Sequence, residues 1–242
     1  MELQLRNYSD LNAQLIATAA TRPGRCLEIG AGRGTKTFVM MCQAKRAGYE
    51  HQHTALDLHD RKCDQNLARL HRSGISGVRT VSGDACELNE VLTSFDAMLG
   101  EPALFDTVVI DAPCSGTGTM RRHPEIPWRL TEKDVTTELP RLQLTMLKEA
   151  AARVAVGGEL IYATCSVFDE ENTQVVDAFL ASSEGAGFTV APLSEAQILQ
   201  LPEYDHAKSL VTLRQNARGL FQSVPVNADS YDGHFCARLV RK

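Results

Sequence analysis

No apolar run in this chain approaches the ~20 residues that a membrane-spanning helix requires. The opening stretch, MELQLRNYSD, has no basic end leading into an apolar segment, so a secretory signal is not expected. The cysteines number seven, are scattered, and never stand at CxxC spacing. An odd, unpatterned set argues against a disulfide framework and a zinc knuckle, and predicts a reducing, cytoplasmic setting. An excess of basic residues is also missing: 25 Lys and Arg face 30 Asp and Glu, for a net charge of −5. Proteins that hold a polynucleotide mainly by neutralising phosphates are usually basic, so any such surface here has to be local or supplied by a partner.

What remains is the composition of an ordinary folded protein, with 242 residues, 43% of them hydrophobic and 23% charged. That length supports a single α/β domain spanning 1–242, with residues 1–20 as an N-terminal helix leading into the core. Apolar segments rich in β-branched residues predict strands near Arg25–Ile29, His53–Asp57, Val78–Val81, Thr107–Ile110, Glu159–Ala163 and Phe188–Ala191. Helical patterns fall near Asn12–Ala20, Lys36–Ala47, Arg61–Arg72, Glu87–Leu99, Asp134–Val156 and Asp169–Ser182. This alternation predicts right-handed crossovers and a mostly parallel, Rossmann-like sheet with helices on both faces. The last stretch, ARGLFQSVPVNADSYDGHFCARLVRK, breaks the rhythm and predicts an antiparallel hairpin closing one edge.

In such folds ligands bind at the carboxyl ends of the strands, near the point where strand order reverses. CLEIGAGRGTKT (Cys26–Thr37) reads as a strand, a glycine turn and a helix start. Gly30, Gly32 and Gly34, with Ala31 between them, allow close approach of a ligand. Thr35 occupies the position where a dinucleotide fingerprint needs its third glycine and where a P-loop needs the glycine before its lysine. Glu28 suits a cofactor bearing an ammonium group, which points to S-adenosylmethionine. Asp57 is placed to accept ribose hydroxyls, and Asp84, with Ala85 beside it, to lie over the adenine. Lys36, Arg61, Asp111 and Pro113 complete the expected cofactor set.

Two cysteines follow strands: Cys114 in DAPCSGTG and Cys165 in ATCS. A single cysteine there is most often a small buried hydrophobe. A pair at neighbouring strand ends, facing a methyl-donor site, suggests covalent chemistry. These stretches, DAPCSGTGTMRRHPEIPWR, LQLTMLKEAAARVAVGGELIYATCSVFDEEN and DGHFCARL, resemble the RNA cytosine-5 methyltransferases of the Nop/Sun family. The similarity runs from about Leu11 to the C-terminus and implies a class I methyltransferase fold with a seven-stranded sheet. It also implies that the Cys165 thiolate attacks carbon 6 of a cytosine, that Asp111 holds the base's amino edge, and that Cys114 assists release after carbon 5 has taken the methyl group. Lys36, in register with the family's loop lysine, and a helix N-terminus after Ser166 are expected to lower the Cys165 pKa. In DNA enzymes of related chemistry the Pro-Cys thiol is the nucleophile, which makes Cys114 the alternative; a non-catalytic S-adenosylmethionine-binding or RNA-assembly protein is the other.

The resemblance is imperfect. Arg33 and Thr35 replace a proline and a glycine of the family's first loop, and His234 stands in a terminal segment that usually reads DGFF. His234 is expected to be a neutral core or rim histidine. Family members usually carry an RNA-binding part ahead of the core; this chain begins almost at the core, so its own grip on ribosomal or transfer RNA is expected to be weak and supplemented by a separate protein or domain. The local candidates are Arg121, Arg122, His123, Arg129 and Lys133, with Trp128 able either to stack a splayed base or to pack on the domain. His51, His53 and His59 invite a metal reading, but no carboxylate or thiol stands at ligand spacing beside them, and no metal is expected.

Overall fold

The structure, a computed structural model, describes residues 10–227 and 231–242. The start of the anticipated N-terminal helix, residues 1–9, lies outside the described residues. Helix α1 (Leu11–Ala19) precedes β1 (Gly24–Ile29), α2 (Thr35–Arg46), β2 (His51–Asp57), α3 (Asp60–Arg72) and β3 (Val78–Ser82). Two short helices, α4 (Leu88–Val91) and α5 (Thr93–Leu99), lead to β4 (Phe105–Asp111). Then come α6 (Leu139–Ala151), β5 (Val154–Thr164), α7 (Thr173–Leu180), β6 (Phe188–Ala191), α8 (Asp205–Thr212), β7 (Phe221–Ser223) and β8 (His234–Arg241).

The strands form one sheet in the order β3-β2-β1-β4-β5-β8-β6, with the short β7 also paired to β8. β1 to β5 are parallel, and β8 is antiparallel to β5, β6 and β7. Seven strands therefore lie along the main order, as anticipated, but the terminal hairpin does not close the edge. β8 enters between β5 and β6, and β7 shares its outer side with β6. The reason is compositional: His234–Leu239 is buried on both faces, which suits an interior strand. The order reverses at β1, because the chain runs outward through β2 and β3, then returns to lay β4 and β5 on the other side. That switch point places the ends of β1 and β4 side by side.

Side chains alternate between two cores. Val108, Ile110, Leu160 and Tyr162 face one layer with α6 and α7, while Val109, Ile161 and Ala163 face another with α1, α2 and α8. Two sequence expectations shift. The helix read through Val156 ends at Ala151, because Val154 pairs with Phe105 and begins a strand. Gly157 (φ 75°) then follows within an irregularity that resets the register to Thr107–Glu159. The helix read over Glu87–Leu99 is broken into α4 and α5.

Candidate active site

The loop after β1 is shaped by close approaches. Gly30 has φ 78°, and a Cβ there would meet the carbonyl oxygen of Asp111 at 2.3 Å. Gly34 caps α2 in a left-handed conformation, with Asn66 only 1.9 Å from where a Cβ would stand. Asp57 anchors the loop from β2: its Oδ2 accepts the Gly32 N–H (2.9 Å), its Oδ1 accepts the His59 N–H (3.0 Å), and Lys62 Nζ lies 3.4 Å away. Around them is a cleft of about 370 Å³ whose lining includes Gly30, Asp57, Lys62, Asp84, Ala85 and Pro113. Asp84 also caps a short turn by accepting the Cys86 N–H.

Three expected cofactor residues line neither this cleft nor its neighbour: Gly34, which faces Asn66, and Glu28 and Arg61. Glu28 is buried away from the cleft, where Oε2 accepts the Thr37 hydroxyl at 2.5 Å and faces His53 Nε2 at 2.9 Å. Strand alternation turns it toward α2 rather than toward the carboxyl edge. Arg61 is absent from the lining; the next residue, Lys62, takes that position.

A second cleft, of about 610 Å³, shares Gly30 and Asp111 with the first and adds Ala31, Gly32, Arg33, Lys36, Cys165 and His234. Lys36, in the first turn of α2, places Nζ 2.5 Å from Asp111 Oδ2. Burial works against its charge, but Asp111 more than compensates and raises the Lys36 pKa, so the ammonium persists. His234 is held neutral: burial first, then the Lys36 charge, lower its pKa.

The two sulfurs meet here. Cys114 Sγ is 3.3 Å from Cys165 Sγ, and the Cys165 N–H donates to Cys114 Sγ (3.4 Å). The pair is polarised. A hydrogen bond from Cys114 lowers the Cys165 pKa; burial and Asp111 oppose this, and Lys36 assists. Cys114 is pushed well above its usual value by that same bond, by burial, and by the charges of Cys165 and Glu171. The expected helix N-terminus after Ser166 contributes nothing, since α7 begins only at Thr173. Cys165 faces the cleft with Lys36 and Asp111, whereas Cys114 lies behind it and borders a neighbouring cavity lined by Leu130, Leu139 and Leu142.

Residues that the sequence reading overlooked lock this geometry. Glu171 is fully buried: its Oε1 accepts the Ser115 N–H (2.8 Å) and Gln143 Nε2 (3.1 Å), and its Oε2 accepts the Ser166 hydroxyl. One carboxylate thus ties the Cys114 loop to the Cys165 loop. Asn172 adds bonds to Thr164 (2.6 Å) and to the Ser166 carbonyl (3.0 Å). Gly118 donates to the Cys165 carbonyl and accepts from the Gly233 N–H, both at 2.8 Å, so three loops meet where no Cβ fits. The acids of FDEEN (Phe168–Asn172) read in the sequence as a helix start favoured by its dipole, bordering the cofactor's neighbourhood; Gln143, a polar residue within the apolar stripe of α6, hinted at a buried partner.

The basic segment divides in two. Arg121 and Arg122 line the second cleft and pair with the buried carboxylate of Asp232, Arg121 at 3.4 Å and Arg122 through Nε at 2.7 Å. His123 and Arg129 instead flank Glu125 at the surface, at 3.4 and 3.6 Å, and Lys133 pairs with Glu138 at 2.8 Å. Trp128 is 89% exposed and does not pack on the domain.

Sheet order, glycine loop and clefts at the switch point define a Rossmann-like methyltransferase fold. Comparison narrows the class. The profile described as 16S rRNA methyltransferase RsmB/F matches residues 16–240, and the chain belongs to that family. A ribosomal RNA small subunit methyltransferase B from Salmonella arizonae is 31% identical over 235 residues, covering 96% of this chain and 46% of the relative. The crystal structure of PH0851 is 28% identical with a TM-score of 0.72, covering 94% of this chain and 45% of that one. NSun6 from Pyrococcus horikoshii, solved with SFG, shares the fold at 19% identity and TM-score 0.72, covering 96% of this chain and 52% of its own. The chain therefore spans about half the length of these relatives.

Proposed function

We propose that this chain transfers a methyl group from S-adenosylmethionine to carbon 5 of a cytosine in RNA, with 16S ribosomal RNA the target that its family favours. The reading rests chiefly on one observation: a Cys165 sulfur turned into a cleft beside a partly buried lysine–aspartate pair and a second thiol.

The glycine loop and the first cleft fit the cofactor. Asp57 would hold the ribose, since a carboxylate offers about four acceptor positions and its observed bonds leave some free. Asp84, Ala85 and Pro113 would border the adenine. When bound, S-adenosylmethionine supplies an electrophilic sulfonium methyl group.

Carbon 5 of cytosine is too weak a nucleophile to react unaided. The Cys165 thiolate adds to carbon 6 and makes carbon 5 nucleophilic, while Asp111 and Lys36 hold the amino edge and balance the charge delivered to the ring. Once Cys165 is a thioether, its negative charge no longer raises the Cys114 pKa. Cys114 is then easier to deprotonate, with burial and Glu171 still opposing, and as a thiolate it can take the carbon 5 proton. The freed electron pair restores the ring double bond and expels the Cys165 thiolate.

Tritium transfer from labelled S-adenosylmethionine to RNA stripped of its modifications tests the proposal, with bisulfite sequencing of RNA from cells with and without the protein. Incorporation at a discrete cytosine, absent with Cys165→Ala, is expected. Counts no higher than this control, despite measured cofactor binding, would show a binding protein instead.

A further inference from the structure

Toward the amino end of β1, away from the cleft, three side chains that the proposed reaction does not use face one another. The parallel pairing of β1 with β2 sets Cys26 opposite His53 and Gly24 opposite His51. His51 and His53 project from one face of β2, and Cys26 Sγ and one ring nitrogen of each histidine all lie within 4.8 Å of one another. Cys26 and His53 are buried and His51 is partly exposed, which leaves a route in from the surface. The thiol that the histidine pair lacked in sequence therefore comes from the adjoining strand.

The hydrogen bonds around this cluster assign its protons. His51 Nδ1 lies 2.8 Å from the Arg22 carbonyl oxygen, which can only accept, so that nitrogen carries hydrogen. His53 Nε2 lies 2.9 Å from Glu28 Oε2, an acceptor that also receives the Thr37 hydroxyl, so it carries hydrogen too. The two nitrogens left over, His51 Nε2 and His53 Nδ1, are 3.1 Å apart and share one proton, carried at rest by His53, whose pKa Cys26 and Glu28 raise to about 10 against the effect of burial. A divalent cation that displaced the shared proton would find both nitrogens and the Cys26 sulfur already within 4.8 Å of one another. On a tetrahedral zinc with Zn–N bonds of about 2.0–2.1 Å, two ligand nitrogens are separated by about 3.3 Å. The Arg22 carbonyl and the Glu28 carboxylate are also the kinds of outer partner that fix ligand histidines in one tautomer.

We propose that Cys26 Sγ, His51 Nε2 and His53 Nδ1 form a binding site for a borderline-soft divalent cation of the zinc class, with Glu28 orienting His53 and a fourth coordination position open. The donor set favours zinc over magnesium or calcium, which prefer oxygen ligands. The site is separate from the thiol pair that carries the proposed reaction.

The test is anaerobic titration of the reduced, chelator-treated chain with Co²⁺, followed by displacement with Zn²⁺. One equivalent should produce the visible bands of tetrahedral cobalt together with a sulfur-to-cobalt charge-transfer band, and Zn²⁺ should bleach both. The bands should survive in the Cys114→Ala/Cys165→Ala variant and vanish in Cys26→Ala. His51 is partly exposed, so His51→Ala keeps a folded chain for comparison by circular dichroism and should bind at least tenfold more weakly; Glu28→Gln should weaken binding about 10- to 100-fold. An absence of saturable one-to-one binding would overturn the proposal. So would bands that persist without Cys26 or that depend on Cys114 and Cys165. Either result would leave the cluster as an imidazolium–thiolate pair.

Discussion

Cys114 Sγ lies 3.3 Å from Cys165 Sγ, and the environments of the two differ in kind. Cys165 shares a cleft with the Lys36 ammonium, whereas Cys114 is raised by its hydrogen bond to Cys165, by burial and by the charges of Cys165 and Glu171. The asymmetry makes Cys165 the more acidic thiol of the pair and Cys114 the less acidic, and it leads to consequences that can be measured.

Lys36→Met removes the cation that helps hold the Cys165 pKa down and leaves Asp111, which raises it, unpaired. A reaction that needs the thiolate gains rate as pH rises through this pKa, so a lowered value sets the acid limb of the kcat/KM profile below that of a free thiol. In the variant the limb should move to higher pH. Each unit of movement costs about tenfold in thiolate at a fixed pH below it. An unchanged limb with reduced kcat would mean that Lys36 acts only on the substrate.

Glu171→Ala leaves the Ser115 N–H, Gln143 and the Ser166 hydroxyl without their acceptor in a buried site. Stability in urea should fall by about 2–4 kcal/mol. With the two loops untied, both thiols should react faster with a disulfide reagent. Glu171→Gln keeps one acceptor and should lie between the two.

Gly118→Ala puts a methyl group 2.2 Å from the Gly233 carbonyl oxygen and 2.8 Å from that of Cys165. Backbone has to shift, at about 1–3 kcal/mol. Because the strain falls on the Cys165 loop, methyl transfer should drop sharply, while calorimetric titration with S-adenosylhomocysteine should be nearly unchanged.

Trp128 is almost fully solvated, so Trp128→Ala should change stability by less than about 0.5 kcal/mol. If the indole stacks a splayed base, RNA affinity should fall by about 1–3 kcal/mol, as seen in filter binding at fixed salt. Unchanged affinity would remove it from the RNA surface.

Much of this was legible because strand ends are marked locally. The glycine turn after β1, Asp57, Asp84 and the two cysteines follow apolar runs whose alternation is plain, and all stand at one edge of the sheet. Less legible was anything decided by pairing across the sheet. Cys26 looked like an isolated thiol until β1 and β2 set it against His53. Glu28 looked like a cofactor ligand until α2 and β2 claimed its carboxylate. Glu171 and Asp232 drew no role from the sequence, because nothing local shows that loops distant in sequence bury them. The position of β8 depends on two-sided burial, which its apolar run suggests without naming its neighbours.

The most direct measurement is a denaturing gel of RNA mixed with S-adenosylmethionine and each single-cysteine variant. Cys114→Ala should accumulate a protein–RNA adduct that survives denaturation and releases carbon-5-methylated cytosine on digestion, whereas Cys165→Ala should form none and transfer no methyl group. An adduct trapped by Cys165→Ala, with normal turnover by Cys114→Ala, would reverse the two roles and contradict the assignment of Cys165 as nucleophile.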